Sequence, residues 1–206
     1  MRQFLLIGTI LLLSRPLQSG QSSAIRHGSP KEVVEDFWGI ETNGGRLTPE
    51  GWHKTTNFFI RARPADLSVI HVIPRADNGR IDETARTQNH AEVYVGTLEL
   101  GELDSALRYK SAPERAANGA VIGATMIKYD LVLADRYWEL KRDGSTGAEL
   151  TGPAEWRIAS IAGGNGPWIT VDTAIRYVEE KRDKTSDPAI KKNADATLAA
   201  LRRQKD

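Results

Sequence analysis

From Leu67 to Ala159 side chains repeat with a period of two, and this does most to limit the fold. Leu67, Val69, His71 and Ile73 alternate with Ser68, Ile70 and Val72. Ala91, Val93, Val95 and Thr97 alternate with Glu92, Tyr94 and Gly96. Ile127, Tyr129, Leu131 and Leu133 alternate with Lys128, Asp130 and Val132, and Trp138 and Leu140 extend that run. Glu155-Trp156-Arg157-Ile158-Ala159 forms a last strand after the turn-rich Asp143-Gly144-Ser145-Thr146-Gly147. Successive strand residues point to opposite faces, so each run has one face for a core. Nothing between the runs has the length of a crossover helix. An antiparallel sheet is therefore expected, not a doubly wound one.

Helices flank the strands on both sides. Ser29-Pro30-Lys31-Glu32 combines an N-cap serine, a proline at the first helical position and a glutamate three residues after the cap. Val33, Val34, Phe37 and Trp38 follow at helical spacing, and Asn43-Gly44-Gly45 ends the segment. Thr48-Pro49-Glu50 starts a shorter helix with Trp52 on its apolar side. Near the C-terminus, Thr170 caps a helix carrying Val171, Ala174, Ile175 and Val178. Asp187-Pro188 starts another with Ile190, Ala194, Leu198 and Leu201 on one side. The expected class is α+β.

The first segment reads as an address. Arg2 precedes the unbroken apolar run Phe4–Leu13, which Ser14-Arg15-Pro16 ends. A spanning helix needs about 20 apolar residues, whereas the apolar region of a secretory signal has about 7–15. Ser22 and Ala24 suit cleavage after Ala24. The expected organisation is a signal peptide over 1–24, one α+β domain over 25–186 and an amphipathic helix over 187–206, with no stable membrane anchor after cleavage.

Composition closes off other classes. The 206 residues contain no cysteine, which removes disulfides, thiolate metal sites, a cysteine nucleophile and a lipobox anchor. With 28 Lys+Arg against 27 Asp+Glu, nothing suggests a nucleic-acid partner. No Asn has Ser or Thr two residues on, which fits a bacterial periplasmic or secreted protein.

Four stretches together resemble the nuclear transport factor 2-like superfamily, which includes ketosteroid isomerase and polyketide cyclases. They are Pro30–Trp38, Arg46–Trp52, Tyr137–Leu140 and Glu155–Ser160, and secreted bacterial members are most similar. The resemblance covers about residues 29–183. It implies a cone-like curved antiparallel sheet packed on the N-terminal helices, with the C-terminal helix added. One fold of this kind carries many functions.

An isomerase of that type needs a carboxylate base with acid or hydroxyl donors in an apolar pocket, and a dehydratase needs a His–Asp pair. The candidates are Asp130, His71 and His90, with Tyr94, Tyr109 and Tyr129 as donors. Asp130 has the parity of Lys128, which fits a solvent-facing ion pair equally well. Aromatic lining would come from Trp38, Trp52, Tyr94, Tyr109, Trp138 and Trp156. No metal is expected, because His27, His53, His71 and His90 are scattered without a ligand motif. No serine-hydrolase elbow occurs, and Gly163-Gly164-Asn165-Gly166 fails both the dinucleotide and the P-loop spacing, so no cofactor is expected. The expected function is an exported module binding a small apolar ligand or a partner. The alternatives are a cofactor-free isomerase or lyase, and a structural protein forming a homodimer through the sheet or the last helix.

Overall fold

The computed structural model describes residues 28–62, 65–112, 124–141, 145–162 and 166–205. The segment 1–24 expected as a signal peptide and the glycines 163 and 164 lie outside them. The four α-helices among the described residues start where their caps are written. Helix α1 (Pro30–Thr42) begins at Ser29, whose hydroxyl accepts from the Glu32 amide at 3.3 Å. Helix α2 (Pro49–Thr56) begins at Thr48, which accepts from the Gly51 amide at 3.1 Å. Thr170 caps α3 (Val171–Lys184) through the Thr173 amide, and the Asp187 carboxylate caps α4 (Pro188–Lys205) through the Ala189 amide. Each cap satisfies a backbone donor that a helix start leaves without a partner. Gly44, at φ +91°, takes the left-handed turn after α1 that a side chain would resist.

The class is α+β, and the strands among the described residues divide into two four-stranded sheets. The larger has the order β2-β3-β6-β7, all antiparallel: β2 (Arg80–Arg86), β3 (His90–Leu98), β6 (Ala124–Leu140) and β7 (Thr146–Ala162). The smaller has the order β5-β4-β1-β8: β1 (Val69–Ile73), β4 (Gly101–Asp104), β5 (Tyr109–Ser111) and β8 (Trp168–Thr170). Here β1 pairs antiparallel with β4 and parallel with β8. The last long strand is thus far longer than the 155–159 expected from alternation, and it forms a hairpin with β6.

Two apolar clusters hold these layers together. In the first, Val33, Val34, Phe37 and Trp38 of α1 pack on the inner face of the larger sheet, against residues such as Val93 and Tyr129. In the second, Ile70, Val72 and Leu103 of the smaller sheet meet Val178 of α3 and Leu198 and Leu201 of α4. The segment expected as an added helix is therefore tightly docked. The Thr197 hydroxyl also donates to the Leu107 carbonyl at 2.7 Å and accepts from the Tyr109 amide at 3.0 Å. Because Leu198 and Leu201 are buried inside the chain, α4 keeps no apolar stripe of those residues for a second copy. No helix among the described residues is long and apolar enough to cross a membrane.

Candidate functional site

The alternation of β1 sets the first group of interest. Ile70 and Val72 face the C-terminal helices, so His71 projects from the opposite face. Antiparallel register places Glu102 of β4 beside His71, and parallel register places Trp168 of β8 on its other side. The Trp168 and His71 rings stack at 4.2 Å with an interplanar angle of 11°. Glu99 reaches the same spot from the β3–β4 connection, which the Leu100 amide pins to the Val72 carbonyl at 2.8 Å. His71 Nδ1 lies 2.7 Å from Glu99 Oε1 and 3.8 Å from Glu102 Oε1. The Thr125 hydroxyl approaches Glu99 Oε2 at 3.5 Å. Burial and the neighbouring Glu99 charge push the Tyr109 hydroxyl up to about 12, while it donates to the Leu100 carbonyl.

The second group lies near the other end of β6. Register shifts after Ala134 and after Trp138 interrupt the β6–β7 ladder. Such bulges bend a strand and re-aim its side chains. Here Tyr137, Trp138 and Glu139 come to line a cleft of about 470 Å³ with Lys141 and, from α2 and its C-cap, His53 and Asn57. Two guanidinium groups hold the rings. Arg157 lies 3.8 Å from the Tyr137 centroid, and Arg61 lies 5.8 Å from that of Trp138. Arg157 is itself fixed, donating to the Asn57 carbonyl and, at 3.1 Å, to Glu155. Burial pulls its pKa below the usual arginine value, outweighing the Glu155 and Tyr137 charges. Its buried Nε has no hydrogen-bond partner among the described residues.

The six aromatic residues expected around one cavity are spread over different parts of the fold. Trp38 and Trp156 are buried in the first core cluster, and Trp52 packs against it. Tyr109 packs against the second cluster. Tyr94 is on the face of β3 opposite the buried Ala91, Val93 and Val95. Trp138 lines the cleft. Helix α1 fills the inner face of the sheet, where Phe37 makes edge contacts with Phe58, Phe59 and Tyr129.

The acid–base candidates also separate. Asp130 lies 3.0 Å from Lys128 Nζ and accepts from the Ser160 hydroxyl at 2.8 Å. Burial alone would raise the Asp130 pKa, but the bonds from Ser160 and Lys128, with the Lys128 and His90 charges, bring it below the usual carboxylate value. A general base at neutral pH needs the opposite shift. His90 is exposed, and Tyr129 is buried in the core. Of the three candidates, His71 alone is placed with a carboxylate directly on its ring. A depressed carboxylate contributes stability above its unfolded pKa and loses it as pH falls through the folded one. Asp130→Asn is therefore expected to flatten the acid loss of stability below about pH 4. Urea unfolding at pH 7 and pH 3 measures this difference.

Glu102 and Trp168 escaped as site residues because β4 and β8 are too short to show a period, and Glu99 because it lies in the connection between β3 and β4. Tyr137 escaped because its place depends on the irregular β6–β7 register. No family model, curated protein or solved structure matches the chain.

Proposed function

We propose that this chain is an exported small-ligand-binding module whose site is the cleft between α2 and the far end of the β6–β7 hairpin. The observation that carries the proposal is that Tyr137 and Trp138 line this concavity with each ring held by an arginine. Small-molecule sites are concave and about 300–1,000 Å³, with apolar or aromatic walls and a few placed polar groups. The cleft, at about 470 Å³, falls in that range. Its polar groups are varied: an imidazole, an amide, a carboxylate and an ammonium from His53, Asn57, Glu139 and Lys141.

This lining suits a guest that offers both flat apolar patches and hydroxyl groups. A saccharide ring does so, because its polarised C–H bonds meet the negative face of an aromatic ring while its hydroxyls exchange hydrogen bonds with amide and carboxylate. The small apolar ligand expected from the sequence suits it less. Export is part of the proposal and rests on the apolar run Phe4–Leu13 and the small residues Ser22 and Ala24.

Calorimetric titration with maltose, cellobiose and diacetylchitobiose tests the proposal. At least one is expected to bind. Trp138→Ala and Glu139→Gln should each weaken it by at least about tenfold, equivalent to about 1.4 kcal/mol. No binding by any of the three, or binding indifferent to both substitutions, contradicts the proposal.

A further inference from the structure

The geometry points to a divalent-cation site made by His71, Glu99 and Glu102, separate from the cleft and near the opposite end of β6. The His71 nitrogen and the two carboxylate oxygens all lie within 4.8 Å of one another. Both carboxylates converge on the same ring atom, Nδ1, at 2.7 and 3.8 Å. Donor atoms around a tetrahedral ion with bonds of about 2.1 Å stand about 3.4 Å apart. The observed separations bracket that value, so small side-chain rotations bring all three to bonding distance.

The surroundings fit the same role. Metal-binding side chains work when neighbouring groups fix their orientation. Trp168 stacked on the imidazole fixes its plane, and the Thr125 hydroxyl beside Glu99 Oε2 orients that carboxylate. Trp168 is anchored in turn, its amide donating to the buried Glu41 carboxylate at 3.3 Å. Two carboxylates stand here without an arginine or lysine ion pair among the described residues. Lys110, opposite Glu102 in the β4–β5 register, makes none with it. Glu99 is mostly buried, at 17% side-chain exposure, while Glu102 at 46% leaves a route from solvent. A bound cation would supply the missing positive charge and displace any Nδ1 proton to solvent.

One imidazole nitrogen with two carboxylate oxygens suits Zn²⁺ or Mn²⁺, with the remaining positions open to water. Calorimetric titration of the untagged, chelator-treated full chain with ZnCl₂ and, separately, MnCl₂ provides the test. At least one of the two is expected to bind one ion per chain. Affinity should fall at least tenfold in Glu102→Gln and in His71→Gln, and His90→Gln should bind like the parent chain. Glu102→Gln alters a half-exposed side chain, so its melting temperature should match the parent and separate loss of the site from loss of the fold. Absence of stoichiometric binding, or affinity unchanged in Glu102→Gln, would leave only an imidazole–carboxylate contact and overturn the inference.

Discussion

Glu41→Ala is expected to lower stability by about 3–5 kcal/mol, the cost of breaking a buried ion pair from one side. Glu41 is fully buried near the end of α1, and Arg46, in the 3₁₀ turn Gly45–Leu47, is 5% exposed. The Arg46 Nε and Nη2 atoms both reach Glu41 Oε1, at 2.7 and 2.6 Å. Arg46 also donates to the Gly166 carbonyl at 3.1 Å, and the Trp168 amide donates to Glu41. The pair thus ties α1 to the start of β8. Its removal strands a guanidinium away from water and takes the acceptor from the Trp168 amide. In a domain of this size such a loss corresponds to a Tm lower by roughly 6–20 °C. The double variant Glu41→Met with Arg46→Met removes both charges and should recover most of that loss. Thermal unfolding followed by circular dichroism measures both. A double variant no more stable than Glu41→Ala would show that a buried guanidinium deprived of its carboxylate is not the cause.

Phe37→Ala comes next, at about 3–5 kcal/mol. Its side chain is completely buried, with ring centroids 5.9, 5.3 and 6.0 Å from those of Phe58, Phe59 and Tyr129. All three contacts are edge-on, the arrangement that adds about 0.5–1.5 kcal/mol per pair beyond area burial. The cavity left would lie where α1 meets the large sheet, with strands on one side that cannot collapse into it freely. Urea unfolding should show a lower midpoint with an unchanged slope. A loss below about 1 kcal/mol would mean that α1 is not fixed to the sheet through this ring. Because Arg46 lies 5.7 Å over the Phe37 ring, the effects of Glu41→Ala and Phe37→Ala should not add.

The helices were legible because their starts are local. Ser29, Thr48, Thr170 and Asp187 each act within three residues, with no help from the rest of the chain. The long strands with a buried inner face were legible for a similar reason, as the Ala91, Val93 and Val95 rhythm shows. What escaped was structure imposed from outside. Strand β2, Arg-Ile-Asp-Glu-Thr-Ala-Arg, is a polar edge strand held by its pairing with β3. The first half of β7 contains Gly147, Gly152 and Pro153, which read as turn residues yet are tolerated on an edge strand. The His71 group required the register of β1 with both β4 and β8, which period alone cannot supply. The cleft required two register shifts in one hairpin.

A two-dimensional amide NMR titration with whichever of the three disaccharides binds tests directly whether the ligand sits in the cleft beside Tyr137 and Trp138, as proposed. Shifts should concentrate at His53, Asn57, Tyr137, Trp138 and Lys141, and the Trp138 indole resonance should move with the same midpoint. Saturable shifts centred instead on the separate concavity at Asp77, Asp172 and Arg176 would contradict the account.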